Sequence, residues 1–190
     1  LWGGDEVMWV VPAWRGWWML GSFYAQYGAT ESSDLTHKGA VVFCHHNAPI
    51  HRITALAKGL ANGVKDGTNR MAYEVLESFD HLGHEAAKIR DERLPSLLQG
   101  SNALHLAGGS MLELPMHMGQ LRRRFPRSKL HQIALRYRED AGAAETLGFE
   151  TLRENEAVEV FEQVESALGF KAGLTDAQRR AATWLHIAAR

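Results

Sequence analysis

Gly3-Gly4-Asp5-Glu6 sets two adjacent carboxylates directly behind two glycines and ahead of an apolar run. Glycine lets the backbone turn tightly and lets a bulky ligand approach it without meeting a Cβ. Paired carboxylates at a hairpin tip suit hard divalent cations, which prefer oxygen ligands and bring phosphates with them. Cations held there can activate an attacking hydroxyl and neutralise a leaving pyrophosphate. The plain alternative is a solvent-exposed turn without chemistry. A second candidate is Arg122-Arg123-Arg124-Phe125-Pro126-Arg127-Ser128-Lys129, which carries five positive charges in eight residues. Such a run can meet phosphates, and Phe125 could stack on a base. Its bland reading is a solvated helix end whose arginines favour the dipole.

Other reactive residue types point to structure. The chain has 10 histidines. His45 and His46 are adjacent, so on a strand their side chains face opposite ways and cannot easily share one ion. His81 and His84 have a ligand-like spacing but lack the Cys or carboxylate pattern of a structural zinc site. Cys44, the only cysteine, sits in an apolar run and reads as a small core residue. Trp14, Trp17 and Trp18 read as packing between a helix and a sheet. Glu154, Glu156, Glu159, Glu162 and Glu165 read as the wet side of a helix.

These residues need elements to position them. The 190 residues are 45% apolar and 23% charged, values of an ordinary globular protein. With 21 Lys plus Arg against 22 Asp plus Glu, the net charge of -1 argues against gripping nucleic acid through bulk charge and leaves room for a local basic patch. The lone cysteine excludes a disulfide framework and fits a reducing cytoplasm. The most apolar stretch, 7–20, is broken by Pro12, Arg15 and Gly16, too short to cross ~30 Å of hydrocarbon. Asp5 and Glu6 before it are the wrong flank for a signal peptide.

Periodicity predicts a strand over 7–11, a helix over 14–27, a strand over 37–46, a helix from Pro49 to about Val64 and a strand over 71–76. From about residue 86 only helical periodicity continues, near 94–98, 111–124, 127–139, 155–168 and 176–190, with Thr175 as a cap for the last. The fold class is therefore α+β: a β-α-β-α-β unit in residues 1–85, then an all-helical domain in 86–190. The chain reads as a piece of a longer protein, truncated upstream.

Gly3-Gly4-Asp5-Glu6-Val7 resembles the GGDEF signature of nucleotide cyclases and the Gly-Gly-Asp-Asp of the palm-type polymerases in type III CRISPR effectors. The stretches Leu35-Thr36-His37 and Val42-Phe43-Cys44-His45-His46-Asn47-Ala48-Pro49-Ile50 are similar to the CRISPR large subunit, and Lys65 with Asn69-Arg70 follows the helix as in both families. Phe125-Pro126-Arg127-Ser128-Lys129-Leu130 and Trp184-Leu185-His186-Ile187-Ala188 look like the helical domain after the second palm of the CRISPR subunit. The resemblance covers nearly the whole chain in order, and the long helical tail favours the CRISPR subunit over a plain cyclase. Glu6 departs from it: the CRISPR family usually has Asp there, whereas cyclases have Glu. The segment around Lys65 also lacks the cyclase spacing Lys-x-x-Gly-Arg.

The resemblance implies a partial ferredoxin-like palm followed by helices, and palm-type nucleotidyl transfer. Asp5 and Glu6 would be the catalytic and metal residues, with Mg²⁺ or Mn²⁺ as cofactor. Gly3, Gly4 and Lys65 would bind nucleotide, with Lys65 meeting the triphosphate. ATP would be converted to cyclic oligoadenylate when the effector has bound target RNA, so the expected partners are the other effector subunits, guide RNA and target RNA, in the cytoplasm and away from membranes. Arg122, Arg123, Arg124, Arg127 and Lys129 become candidate RNA or subunit contacts. Two alternatives stand beside it: a diguanylate cyclase using GTP, and a degenerate palm kept as a scaffold. The 190 residues alone are expected to be inactive, because the partner strand of the motif would lie upstream.

Overall fold

The computed structural model describes residues 2–3, 6–27, 36–64, 69–76, 94–170 and 172–188. Two short strands, β1 (Trp2–Gly3) and β2 (Glu6–Val7), pair antiparallel. Helix α1 (Ala13–Tyr27), strand β3 (Lys38–Phe43), helix α2 (Ile50–Gly63) and strand β4 (Arg70–Val75) follow. The expected order is present, but the apolar run 7–11 enters a ladder only at Val7. Beyond it no strand of the described residues lies alongside, and Val10 is 79% exposed.

Side-chain alternation on β3 and β4 decides which helix covers which face. The two strands pair parallel, with Ala40 opposite Ala72 and Val41 opposite Tyr73. Ala40, Val42 and Ala72 meet Leu56, Leu60 and Val64 at α2. Val41, Met71 and Tyr73 belong to the opposite, larger core. A parallel pair needs a crossover, and α2 supplies it.

Against expectation, the tryptophans of α1 do not lead its packing. Trp14 is 82% and Trp18 60% exposed, and only Trp17 packs inward, between Phe43 and Tyr73. The buried stripe is Gly16, Leu20 and Tyr24, spaced one turn apart. A Cβ at Gly16 would lie 3.2 Å from the Phe43 ring, so the small residue lets α1 settle close on β3. The tryptophans at 14 and 18 then point away.

A 3₁₀ turn (Ser96–Leu98) stands where the periodicity predicts a helical segment at 94–98. A two-residue strand, β5 (Leu106–Ala107), joins β4 antiparallel, with Leu106 opposite Met71. Five helices follow a second 3₁₀ turn (Gly108–Leu112): α3 (Leu114–Arg124), α4 (Arg127–Arg136), α5 (Ala141–Glu154), α6 (Val158–Leu168) and α7 (Asp176–Ala188). Helix α5 is absent from the sequence expectation. Its buried positions include Ala144, Gly148 and Thr151, too small to print a hydrophobic period. The expected cap of α7 is present as a reciprocal pair: Gln178 N donates to Thr175 Oγ1 at 3.2 Å, and Thr175 N donates to Gln178 Oε1 at 3.0 Å.

Trp184 anchors the helices, 5.3 Å from the Phe125 ring and 4.6 Å from Phe161. The expected boundary at 85/86 lies outside the described residues, and the residues on either side of it share one core. Leu20, Tyr24, Met71 and Tyr73 are buried in the same cluster as Leu121, Ile133, Phe161, Trp184 and Ile187. Tyr73 Oη and His186 Nδ1 lie 2.8 Å apart, tying β4 to α7 inside that core. The result is a mixed α+β fold with a three-stranded sheet among the described residues. None of the helices described is long and apolar enough to cross a membrane.

Candidate functional site

In the β1–β2 hairpin Gly3 faces Glu6 across the ladder, leaving only Gly4 and Asp5 to make the connection. Those two residues and Lys65 lie outside the described residues. Glu6 Oε2 meets Lys58 Nζ on α2 at 2.7 Å, and Thr54 Oγ1, one turn back, approaches Met8 Sδ at 3.7 Å. The hairpin exit therefore runs along α2, with Lys58 and Thr54 at an i, i+4 spacing beneath it. Both charges are more than half exposed, so the pair adds only about 0–1 kcal/mol and serves mainly to place the carboxylate. Sequence reasoning missed Lys58. The signal available was its helical spacing from Thr54, without anything to show that the hairpin would cross there.

The donor chemistry fits a hard cation in its described part. Glu6 Oε2 is taken by Lys58, while Oε1 has no hydrogen bond among the described residues. Among the described residues no group of three His, Cys, Asp or Glu side chains is close enough to hold a metal ion.

The histidine pair departs from expectation. β3 ends at Phe43, so His45 and His46 lie in the turn before α2, not on a strand. Their rings lie side by side, tilted by 42° with centroids 4.1 Å apart, and are exposed. His81 and His84 lie outside the described residues. Burial pushes the Cys44 thiol pKa up, which disfavours the thiolate a nucleophile needs. Arg70, next in order after the motif lysine, is structural: its guanidinium donates to the carbonyls of Gly169, at 2.8 Å, and His105. Asn69 Oδ1 accepts from His37 N at 2.8 Å and closes the end of the sheet.

The basic run forms a corner. Arg122, Arg123 and Arg124 fill the last turn of α3, and Arg127 and Lys129 the first turn of α4. Arg124 Nη1 donates to Glu156 O at 3.1 Å, fixing it to the start of α6. Phe125 is 3% exposed and packed on Trp184. It is a core anchor, which removes it as a surface for stacking a base. Beside it opens a cleft of about 190 Å³ lined by Arg122, Phe125, Arg127, Leu130, His131 and Ile187. Burial and the nearby Arg127 both lower the pKa of Arg122, burial the more. His131, one turn after Arg127, was not foreseen as part of this group. No family model, curated protein or solved structure matches this chain.

Proposed function

We propose that this chain is part of a type III CRISPR large subunit, a palm-type nucleotidyltransferase that makes cyclic oligoadenylate from ATP once its complex has bound target RNA. The observation that carries the reading is the antiparallel pairing of Trp2–Gly3 with Glu6–Val7 on either side of the motif, with the exposed Glu6 carboxylate facing Lys58. Asp5 and Glu6 would hold Mg²⁺ or Mn²⁺. When bound, the cation lowers the pKa of a ribose hydroxyl and takes up charge on the leaving pyrophosphate. Gly3 and Gly4 leave the nucleotide room at the turn. Lys58 orients Glu6, and the resemblance assigns Lys65 to the triphosphate. Within this reading the protein works in the cytoplasm with guide RNA, target RNA and the other effector subunits.

Mass spectrometry tests it: the full-length protein, with and without its RNA-bound partners, is given ATP or GTP with Mg²⁺ or Mn²⁺. Cyclic adenylates appearing only with target RNA, and lost in Asp5→Ala/Glu6→Ala, are the expected result. A cyclic dinucleotide from GTP without RNA overturns the reading in favour of a diguanylate cyclase. Activity unaltered by the double substitution removes the metal assignment. Absence of product in every mixture supports the scaffold alternative.

A further inference from the structure

We propose that the cleft at the α3–α4 corner binds a phosphate group, gripped by Arg122, Arg127 and His131. The inference deepens the RNA-contact part of the proposed function and rests on that part only for the strand as the source of the phosphate. It needs no nucleotidyl transfer. Arg122 and Arg127 line one cleft, and neither makes an ion pair among the described residues. The two charges repel, since Arg127 makes Arg122 harder to keep protonated. Helix α4 has no acidic residue in its first turn, where Arg127 and Lys129 stand against the positive end of the dipole. An anion in the cleft would offset each of these unfavourable terms.

The shape indicates what kind of anion. Sites that enclose a whole small molecule occupy roughly 300–1,000 Å³, whereas this cleft is about 190 Å³. It suits one anionic group of a larger ligand. Phe125, Leu130 and Ile187 back the cleft from the core side, while Arg122, Arg127 and His131 are exposed along it. Guanidinium forks match phosphate oxygens in pairs. His131, at i, i+4 from Arg127, places a third nitrogen-bearing side chain on the same helix face. The corner is held in place by Phe125, fixed on Trp184, and by Pro126 at the start of α4.

Isothermal titration of the 190-residue chain with inorganic phosphate, AMP and a single-stranded oligoadenylate RNA tests the site. The proteins are the parent, Arg122→Gln/Arg127→Gln, and Arg136→Gln as an exposed cation at the far end of α4; thermal unfolding checks that each is folded. The double variant is expected to bind RNA at least ~10-fold more weakly, with a salt slope reduced by about 0.7 for each phosphate no longer neutralised. Arg136→Gln is expected to change affinity less than about 2-fold, and inorganic phosphate to compete with RNA. Arg127→Lys keeps the charge without the fork, and an intermediate loss is expected of it. Phosphate or AMP binding lost in the double variant, without RNA binding, supports the site with a free nucleotide as its source and removes the RNA part of the proposed function. Equal affinity for the double variant and Arg136→Gln, or no binding of any phosphate probe, overturns the proposal.

Discussion

Glu6 and Phe125 lie at opposite ends of the range of roles a side chain can have. Glu6 is exposed and its ion pair with Lys58 is screened, so Lys58→Gln is expected to change stability by less than about 1 kcal/mol. Under the proposed function, the same substitution is expected to lower nucleotide turnover of the full-length protein by releasing the Glu6 carboxylate from its position. Unchanged turnover, with unfolding also unchanged, would remove Lys58 from the site. Phe125 is buried against Trp184, and Phe125→Ala is expected to cost about 3–5 kcal/mol. A drop in the unfolding midpoint checks this, because a residue used only for stacking on a base would leave stability intact. The glycines and acids predict paired carboxylates at a hairpin tip, and Glu6 stands instead at the start of the second strand. The sequence left Lys58 hidden, because that contact joins residues 52 positions apart. It also misread Phe125, because an aromatic ring between arginines looks exposed until Trp184 is folded against it.

At the scale of elements, the legible features were those with a local cause. The helix-strand alternation through residue 75 follows apolar periodicity, and the cap at Thr175 follows from a Thr-x-x-Gln pattern. Helix α5 was illegible because three of its four buried positions, Ala144, Gly148 and Thr151, are small. Its start still carries a local signal in Asp140, whose Oδ1 accepts from Ala143 N at 3.0 Å. Asp140→Ala is expected to cost about 1 kcal/mol, and faster amide exchange in the first turn of α5 would show it. The attachment of α1 rests on non-local fit. Tyr24 is 1% exposed, and its hydroxyl lies 2.9 Å from Arg70 O and 3.1 Å from His37 O. A Cβ on Gly108 would come within 2.3 Å of the Tyr24 ring. Gly108→Ala therefore forces the ring or the 3₁₀ turn aside, at an expected cost of about 1–3 kcal/mol. Retention of the parent unfolding midpoint would refute the close approach.

Across the whole molecule, the sheet and the helices depend on one another. Sequence periodicity divides the chain near residue 85, because it registers the change from mixed to purely helical patterning and is blind to what each face packs on. In the folded chain, β5 from the helical half completes the sheet beside β4. Arg70 of β4 reaches the carbonyl of Gly169 between α6 and α7, and Tyr73 reaches His186 of α7. Ile187 and His186 are 1% exposed, so removing α7 would uncover the face of β4 along with the helices. A polar pair such as Tyr73–His186 is costly to break by removing one partner, since the buried group left behind loses its hydrogen bond. The expected behaviour is one cooperative unfolding transition reported alike by sheet and helix probes. A chain cut after residue 85 is expected to remain unfolded, with Met71 and Tyr73 no longer covered by the helical half. Hydrogen exchange on both chains checks this: protected β3 and β4 amides in the shortened chain would establish two independent domains, whereas full exchange would show that the helices complete the core on which β1, β2 and Glu6 are mounted.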